Sequence, residues 1–253
     1  MSAALVPVLL GCAVSLAVMA GLLVPLEGWF PISPSRLRLR AAATCVAFFV
    51  GNAVLMQLLG APVLEAVESA FASGAPPSWP RWVAVLVLAD VAGYWAHRAM
   101  HRVPWLWRLH AVHHAPTELN WLEAWRQHPV DFVMHGLAVG LPGALLGASL
   151  ADMASVVLVR KIVTAFLHAN VRWRLLPLQW VLATPLFHRV HHSADPRDYD
   201  SNFAGTFAFV DLLFGTHRRA SGFPVAVGLV PVNAGAAERP ASEQVEPGAV
   251  TAG

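Results

Sequence analysis

Residues 2 to 26 carry no charged side chain. As a helix rising 1.5 Å per residue, a stretch of that length crosses a hydrocarbon layer of about 30 Å. It lacks the basic leading region of a secretory signal, and its apolar part is longer than a signal's core, so it reads as a retained first span. A short segment from Pro31 to Arg40 follows, with arginines at 36, 38 and 40. Residues 41 to 64 are again uncharged and predict a second span. The stretch 65 to 81 holds Glu65, Glu68, Gly74, Pro76, Pro77 and Pro80 and predicts a loop. A third apolar run, 82 to 96, carries one acid, Asp90, and leads straight into histidines. A fourth run covers 132 to 151 and a fifth 153 to 170, joined by a tight turn at Ala151-Asp152. The fifth contains Arg160 and Lys161, which fits a helix partly buried against protein, or a hairpin that does not fully cross.

The pattern predicts an all-α, integral-membrane helical bundle of four to five spans with a histidine-rich helical cap. Residues 1–81 form the N-terminal spans and loops, 82–222 the histidine-bearing domain, and 223–253 a tail of Ala, Gly, Pro, Glu and Val without periodicity, expected to be disordered. The short Arg36/Arg38/Arg40 loop should face the cytoplasm. Threading the spans from that point brings every histidine cluster to the same side. The expectation is a multi-pass protein of the cell membrane with its active site facing the cytoplasm. A soluble helical protein with a very apolar core is the weaker alternative.

Composition agrees. Of 253 residues, 57% are hydrophobic and 13% charged, about half the share usual in soluble domains. The net charge of +2 and the scattered arginines give no nucleic-acid footprint. Cys12 and Cys45 lie in apolar runs and offer neither a disulfide framework nor a thiolate metal site.

The candidate chemistry lies in twelve histidines. His97 and His101 sit at i and i+4, on one helix face. Tyr94 and Asp90 continue that face toward the membrane, and a carboxylate there suits a residue that orients a ligand histidine. His110, His113 and His114 repeat the facing pattern, and so do His188, His191 and His192. Eight imidazoles in three matched groups on one side of a membrane point to metal. They exceed the four ligands of one tetrahedral zinc, so two metals are the natural reading. His168, in Phe166-Leu-His-Ala-Asn170, is a candidate ninth ligand, and His128 a supporting residue. His135 and His217 read as structural. No HExxH motif occurs, which disfavours a hydrolytic zinc site. A redox pair that activates O2 beside lipid fits better, because side chains alone cannot oxidise an unactivated C–H bond.

These residues resemble the fatty acid hydroxylase/sterol desaturase family of membrane histidine-box oxygenases. The likeness runs from about 85 to 217, through Tyr94-Trp-Ala-His97-Arg98, Leu109-His-Ala-Val-His-His114, Asn120-Trp121, Arg126-Gln-His-Pro129, His168-Ala-Asn170, Pro185-Leu-Phe-His-Arg-Val-His-His-Ser193 and Asp211-Leu-Leu-Phe-Gly-Thr216. The resemblance implies a di-iron centre held by His97, His101, His110, His113, His114, His188, His191 and His192, with His168 a ninth ligand and Asn170 in support. Thr164 stands where some relatives carry one more histidine. The implied activity is O2-dependent hydroxylation or desaturation of a fatty acid, sterol or other isoprenoid lipid. Electrons would come from a separate ferredoxin or cytochrome b5-type donor. Zinc in place of iron in a purified sample is compatible with the same ligands. The competing readings are a zinc-dependent membrane hydrolase or isomerase, and a non-catalytic metal-binding membrane protein.

Overall fold

The structure, a computed structural model, describes residues 5–34, 38–71, 78–148 and 150–229. The described residues form helices and connecting loops, with isolated bridges (Pro31 with Val171, Ser193 with Val227) in place of sheet. Helix α1 covers Leu5–Trp29 and α2 Leu39–Leu55. A single π turn, Met56–Gly60, joins α2 to α3, Ala61–Phe71. The later helices are α4 (Trp79–Arg102), α5 (Pro104–His114), α6 (Pro129–Leu145), α7 (Leu150–His168), α8 (Pro185–His191) and α9 (Phe209–Leu213).

Among the described residues, two stretches are long and apolar enough to cross a membrane: Leu5–Trp29 and the continuous helix Leu39–Phe71. Helix α6 is apolar but shorter. Along α1, Val6, Leu10, Val14, Val18 and Leu22 are exposed and spaced by four, forming one bare apolar stripe. The opposite face, Cys12, Met19 and Leu23, is buried. An uncovered stripe of that length suits an apolar solvent.

Two boundaries differ from the sequence reading. Glu65 and Glu68 belong to helix α3 rather than to a loop; Leu64 is buried there against Gly140 of α6, Glu65 is exposed and Glu68 half-buried. The turn between α6 and α7 falls at Leu146–Ala148, not at 151–152, because Gly147 supplies the left-handed backbone (φ 65°) that ends α6. Arg36, the 72–77 part of the predicted loop and the tail from 230 lie outside the described residues. The described start of that tail is ordered against the site: Gly228 N donates to His192 O (2.9 Å) and Ala194 N to Ala226 O (3.1 Å).

Close approach holds the bundle. Gly136 of α6 meets Met56, and Gly93 of α4 faces Val139 and His135 of α6. A Cβ at either position would crowd the facing side chain, which would have to shift by a few tenths of an ångström. Helix α1 is tied to the far end of the chain by Glu27, whose Oε1 accepts from Trp121 N and Asn170 N, both at 2.9 Å.

Candidate metal centre

The first two histidine groups meet because of one proline. Val103 precedes Pro104 and is extended (φ −96°, ψ 118°), which ends α4 and starts α5 folded back upon it. The fold-back matches residues thirteen apart: His97 Nε2 lies 3.1 Å from His110 Nε2, and His101 Nε2 3.2 Å from His114 Nε2. The third group rides on α8, started by Pro185 and capped by Thr184, whose hydroxyl accepts from Phe187 N at 3.2 Å. His168 closes α7.

The nine histidines sort into two groups, each with its ligand nitrogens within 4.8 Å of one another. His97, His101, His110, His114 and His191 form one, and His113, His168, His188 and His192 the other. All nine are buried. The spacing of the boxes in sequence does not predict this division: each HxxHH box contributes to both groups.

The protonation of the rings is fixed by their outer nitrogens. His97 Nδ1 donates to Phe203 O (2.8 Å), His191 Nδ1 to Ser201 O (2.8 Å) and His168 Nδ1 to Thr164 O (2.8 Å). His110 Nδ1 donates to Asp131 Oδ2 at 3.1 Å. A carbonyl only accepts, so each of these rings carries its proton on Nδ1 and turns an Nε2 lone pair inward. Lone pairs then face each other at 3.1 Å across the His97–His110 contact. Such pairs repel unless a cation lies between them. His191 Nε2 is buried within its group without a hydrogen-bond partner. Burial, reinforced by neighbouring imidazoles, holds His113, His114, His188 and His192 well below the usual histidine value, and pushes His191 down to about 3. The rings therefore stay neutral, the form that binds metal. Nine imidazoles in two buried groups fit two borderline metal ions such as iron or zinc.

The expected supporting residues fare differently. Asp90 touches no histidine: Oδ1 pairs with Arg160 (2.9 Å) and Oδ2 accepts from Phe207 N (2.8 Å). Tyr94 bonds to Thr216 Oγ1 (2.9 Å) and accepts from Arg98 (2.9 Å). Both brace the 203–216 segment that carries the Phe203 carbonyl. His128 caps α6 by accepting from Val130 N, and Asn170 donates to Ser33 O; neither meets the cluster. The face argument does not hold for Asp90 because an arginine 70 residues away in sequence, on another helix, competes for it. His135 lies beside His97, with ring centroids 6.3 Å apart, but outside both groups. His217 stacks on Trp180 at the edge of the cap.

Besides Thr164 of His168's own helix, the residues that orient candidate ligands are Asp131, Ser201 and Phe203. Asp131 had a readable signal, an acid in the first turn after His128-Pro129. The two carbonyls had none. They are aimed by left-handed backbone at Asp200 (φ 55°) and Asn202 (φ 59°), and Asn202 is locked by bonds to Phe187 O and Arg218 O.

A helical membrane scaffold closing on two all-histidine groups is the arrangement of the histidine-box enzymes. The profile of the fatty acid hydroxylase family matches residues 82–216, and the chain belongs to that family. It is 34% identical over 145 residues to ornithine lipid hydroxylase OlsE of Rhizobium tropici, covering 56% of this chain and 44% of that protein. It is 30% identical over 158 residues to alkylglycerol monooxygenase of Homo sapiens (60% of this chain, 34% of that one). It is likewise 30% identical over 152 residues to very-long-chain aldehyde decarbonylase GL1-11 of Oryza sativa subsp. indica, covering 55% of each. The matched region thus spans between about a third and about half of these relatives. No solved structure matches the chain.

Proposed function

We propose that the protein is a multi-pass membrane oxygenase that hydroxylates a lipid, with His97, His101, His110, His114 and His191 holding one iron ion and His113, His168, His188 and His192 a second. The observation that carries this reading is the pair of Nε2 lone pairs of His97 and His110 facing each other at 3.1 Å, fixed by outward Nδ1 donors, within two buried histidine groups. Bound iron would supply the reductive activation of O2 that cleavage of an unactivated C–H bond requires. The balance is one C–H bond, one O2, two electrons and two protons giving one alcohol and one water. The electrons call for a separate ferredoxin or cytochrome b5-type donor.

The protein's own part is placement. Carbonyls of Phe203, Ser201 and Thr164 and the Asp131 carboxylate keep the rings neutral and directed. Burial excludes water from the centre. The names of the relatives support a lipid substrate and favour hydroxylation over desaturation. Helices α4, α6 and α7 join the two long apolar helices in the bilayer, and the arginines near residue 38 set the histidine side toward the cytoplasm.

Lipid extracts of cells expressing the protein, compared with cells expressing His191→Ala, test this reading. The expected result is a lipid heavier by one oxygen, labelled by 18O2 and absent from the variant. A product labelled from water, or formed without O2, would point to the hydrolytic zinc alternative.

A further inference from the structure

The cap carries an apolar surface that the metal chemistry does not use. Leu178, Trp180 and Val181 are exposed on the 3-10 turn before α8, and Phe209, Leu212 and Leu213 on α9, with Leu213 70% exposed. The two pieces adjoin: Ala183 N donates to Thr206 O (2.8 Å), and Ala183 packs with Ala208 in one buried cluster.

We infer that this surface is sunk among the acyl chains of the leaflet on the metal side, so that residues 178–183 and 205–214 form a membrane-dipping hairpin of the cap. The inference rests on the membrane reading above and deepens it.

Three observations carry it. The first is depth. Phe207 N is fastened to Asp90, which precedes His97 by seven residues on α4, about 10 Å along the helix. At that height Gly93 faces α6, and α6 in turn meets Met56, inside the long apolar helix Leu39–Phe71.

The second is main-chain satisfaction. Non-helical backbone survives in hydrocarbon only where its polar groups are paired within the protein. Here the Asp211 carboxylate takes Phe203 N, Ala204 N and Thr216 Oγ1, while Asp90 takes Phe207 N. The amides of Val210, Asp211, Leu178, Val181, Leu182 and Ala183 all reach carbonyls, and His217 Nε2 donates to Gln179 O.

The third is the rim. Trp180 stacks on His217, and Arg219 lies 5.3 Å over the Trp180 ring, an aromatic-and-arginine edge suited to the headgroup level. Behind the surface, Leu167 and Phe187 pack with Ala183 and Ala208, and their chain neighbours are His168 and His188. A lipid chain on this surface therefore lies beside the four-histidine group.

The test uses the iron-loaded full chain in lipid nanodiscs. A fluorophore is placed at Leu213→Cys, in a Cys12→Ala/Cys45→Ser background, with Val14→Cys on α1 and Arg197→Cys on the cap as references. Quenching by brominated acyl chains equal to that at Val14→Cys, with no quenching by aqueous iodide, is expected. Iodide quenching equal to that at Arg197→Cys overturns the inference. So does protection from both quenchers with cross-linking to a second copy or a protein partner. If Val14→Cys also reports water, the membrane reading itself fails, which separates the two ideas. Should the cysteine-free background not fold, diazirine-labelled phosphatidylcholine with the unaltered chain gives the same answer. Label on peptides covering 205–214 supports the inference, and its absence there beside label on α1 overturns it.

Discussion

His110 Nδ1 donates to Asp131 Oδ2 at 3.1 Å, and both side chains are almost wholly buried. Asp131 thus backs a candidate ligand directly, and Asp200 stands 3.8 Å from His101 Nδ1. A carboxylate behind an imidazole fixes its tautomer and makes it a stronger donor to metal. The backing falls on the five-histidine group. In the four-histidine group, His113, His188 and His192 have no hydrogen-bond partner on Nδ1. The two positions therefore differ in basicity as well as in ligand number.

Asp131→Ala should weaken metal binding about 10- to 100-fold, the range for removing a residue that orients a ligand. Titration of apo protein with Fe(II), followed by equilibrium dialysis, measures it. The loss should fall on one of the two metals while the other binds as before, and helix content should be unchanged. Equal loss at both positions would contradict the assignment of Asp131 to the five-histidine group.

The ion pair between Arg160 and Asp90 is held at 2.9 Å, with Asp90 fully buried. Removing one partner of such a pair leaves a buried charge and costs about 3–5 kcal/mol. Arg160→Met should lower the unfolding midpoint sharply. Asp90→Asn with Arg160→Met should cost less than the sum of the two single changes. Additive effects would show that the pair is not coupled.

Glu27→Ala should destabilise the protein by about 2–3 kcal/mol, because two amides lose a charged acceptor. Trp121 N and Asn170 N both depend on it, so α1 should detach from the cap. Proteolysis within the 30–38 connection, measured against the parent, reads that detachment directly. An unchanged cleavage rate would contradict it.

The buried histidines set a pH dependence for the apo protein. Their folded values are lowered, so between the ordinary value near 6.5 and the folded value the unfolded chain binds more protons. Stability is then fully present above about pH 6.5 and is lost as pH falls, with His191 extending the window toward pH 3. Thermal unfolding of apo protein from pH 7.5 to 5 should show a falling midpoint. Metal should raise the midpoint most at the upper end of that range, where it need not displace protons. A flat profile would contradict neutral, ligand-ready rings.

Much of this was readable from residues. The i, i+4 spacing at His97/His101 and the repeated boxes at 110–114 and 188–192 named the side chains that converge, because helical faces are local. The charge-free run 2–26 and the run 41–64 marked the two long apolar helices. The five-and-four division was not readable, since it depends on how α5 folds back at Val103 and where α8 docks. Asp90 illustrates the same limit: its face was right, but its partner, Arg160, comes from another helix. The Phe203 and Ser201 carbonyls belong to main chain, which every residue possesses, so no residue type announces them. Residues 65–71 continue the helix because two acids among apolar residues do not by themselves end one.

The iron content of the reconstituted protein bears most directly on the centre. After anaerobic loading and removal of loose metal, two iron ions per chain are predicted, with one lost in His188→Ala and the other in His114→Ala. One iron or none in the parent, or two that survive both replacements together, would contradict a paired centre built from these nine histidines.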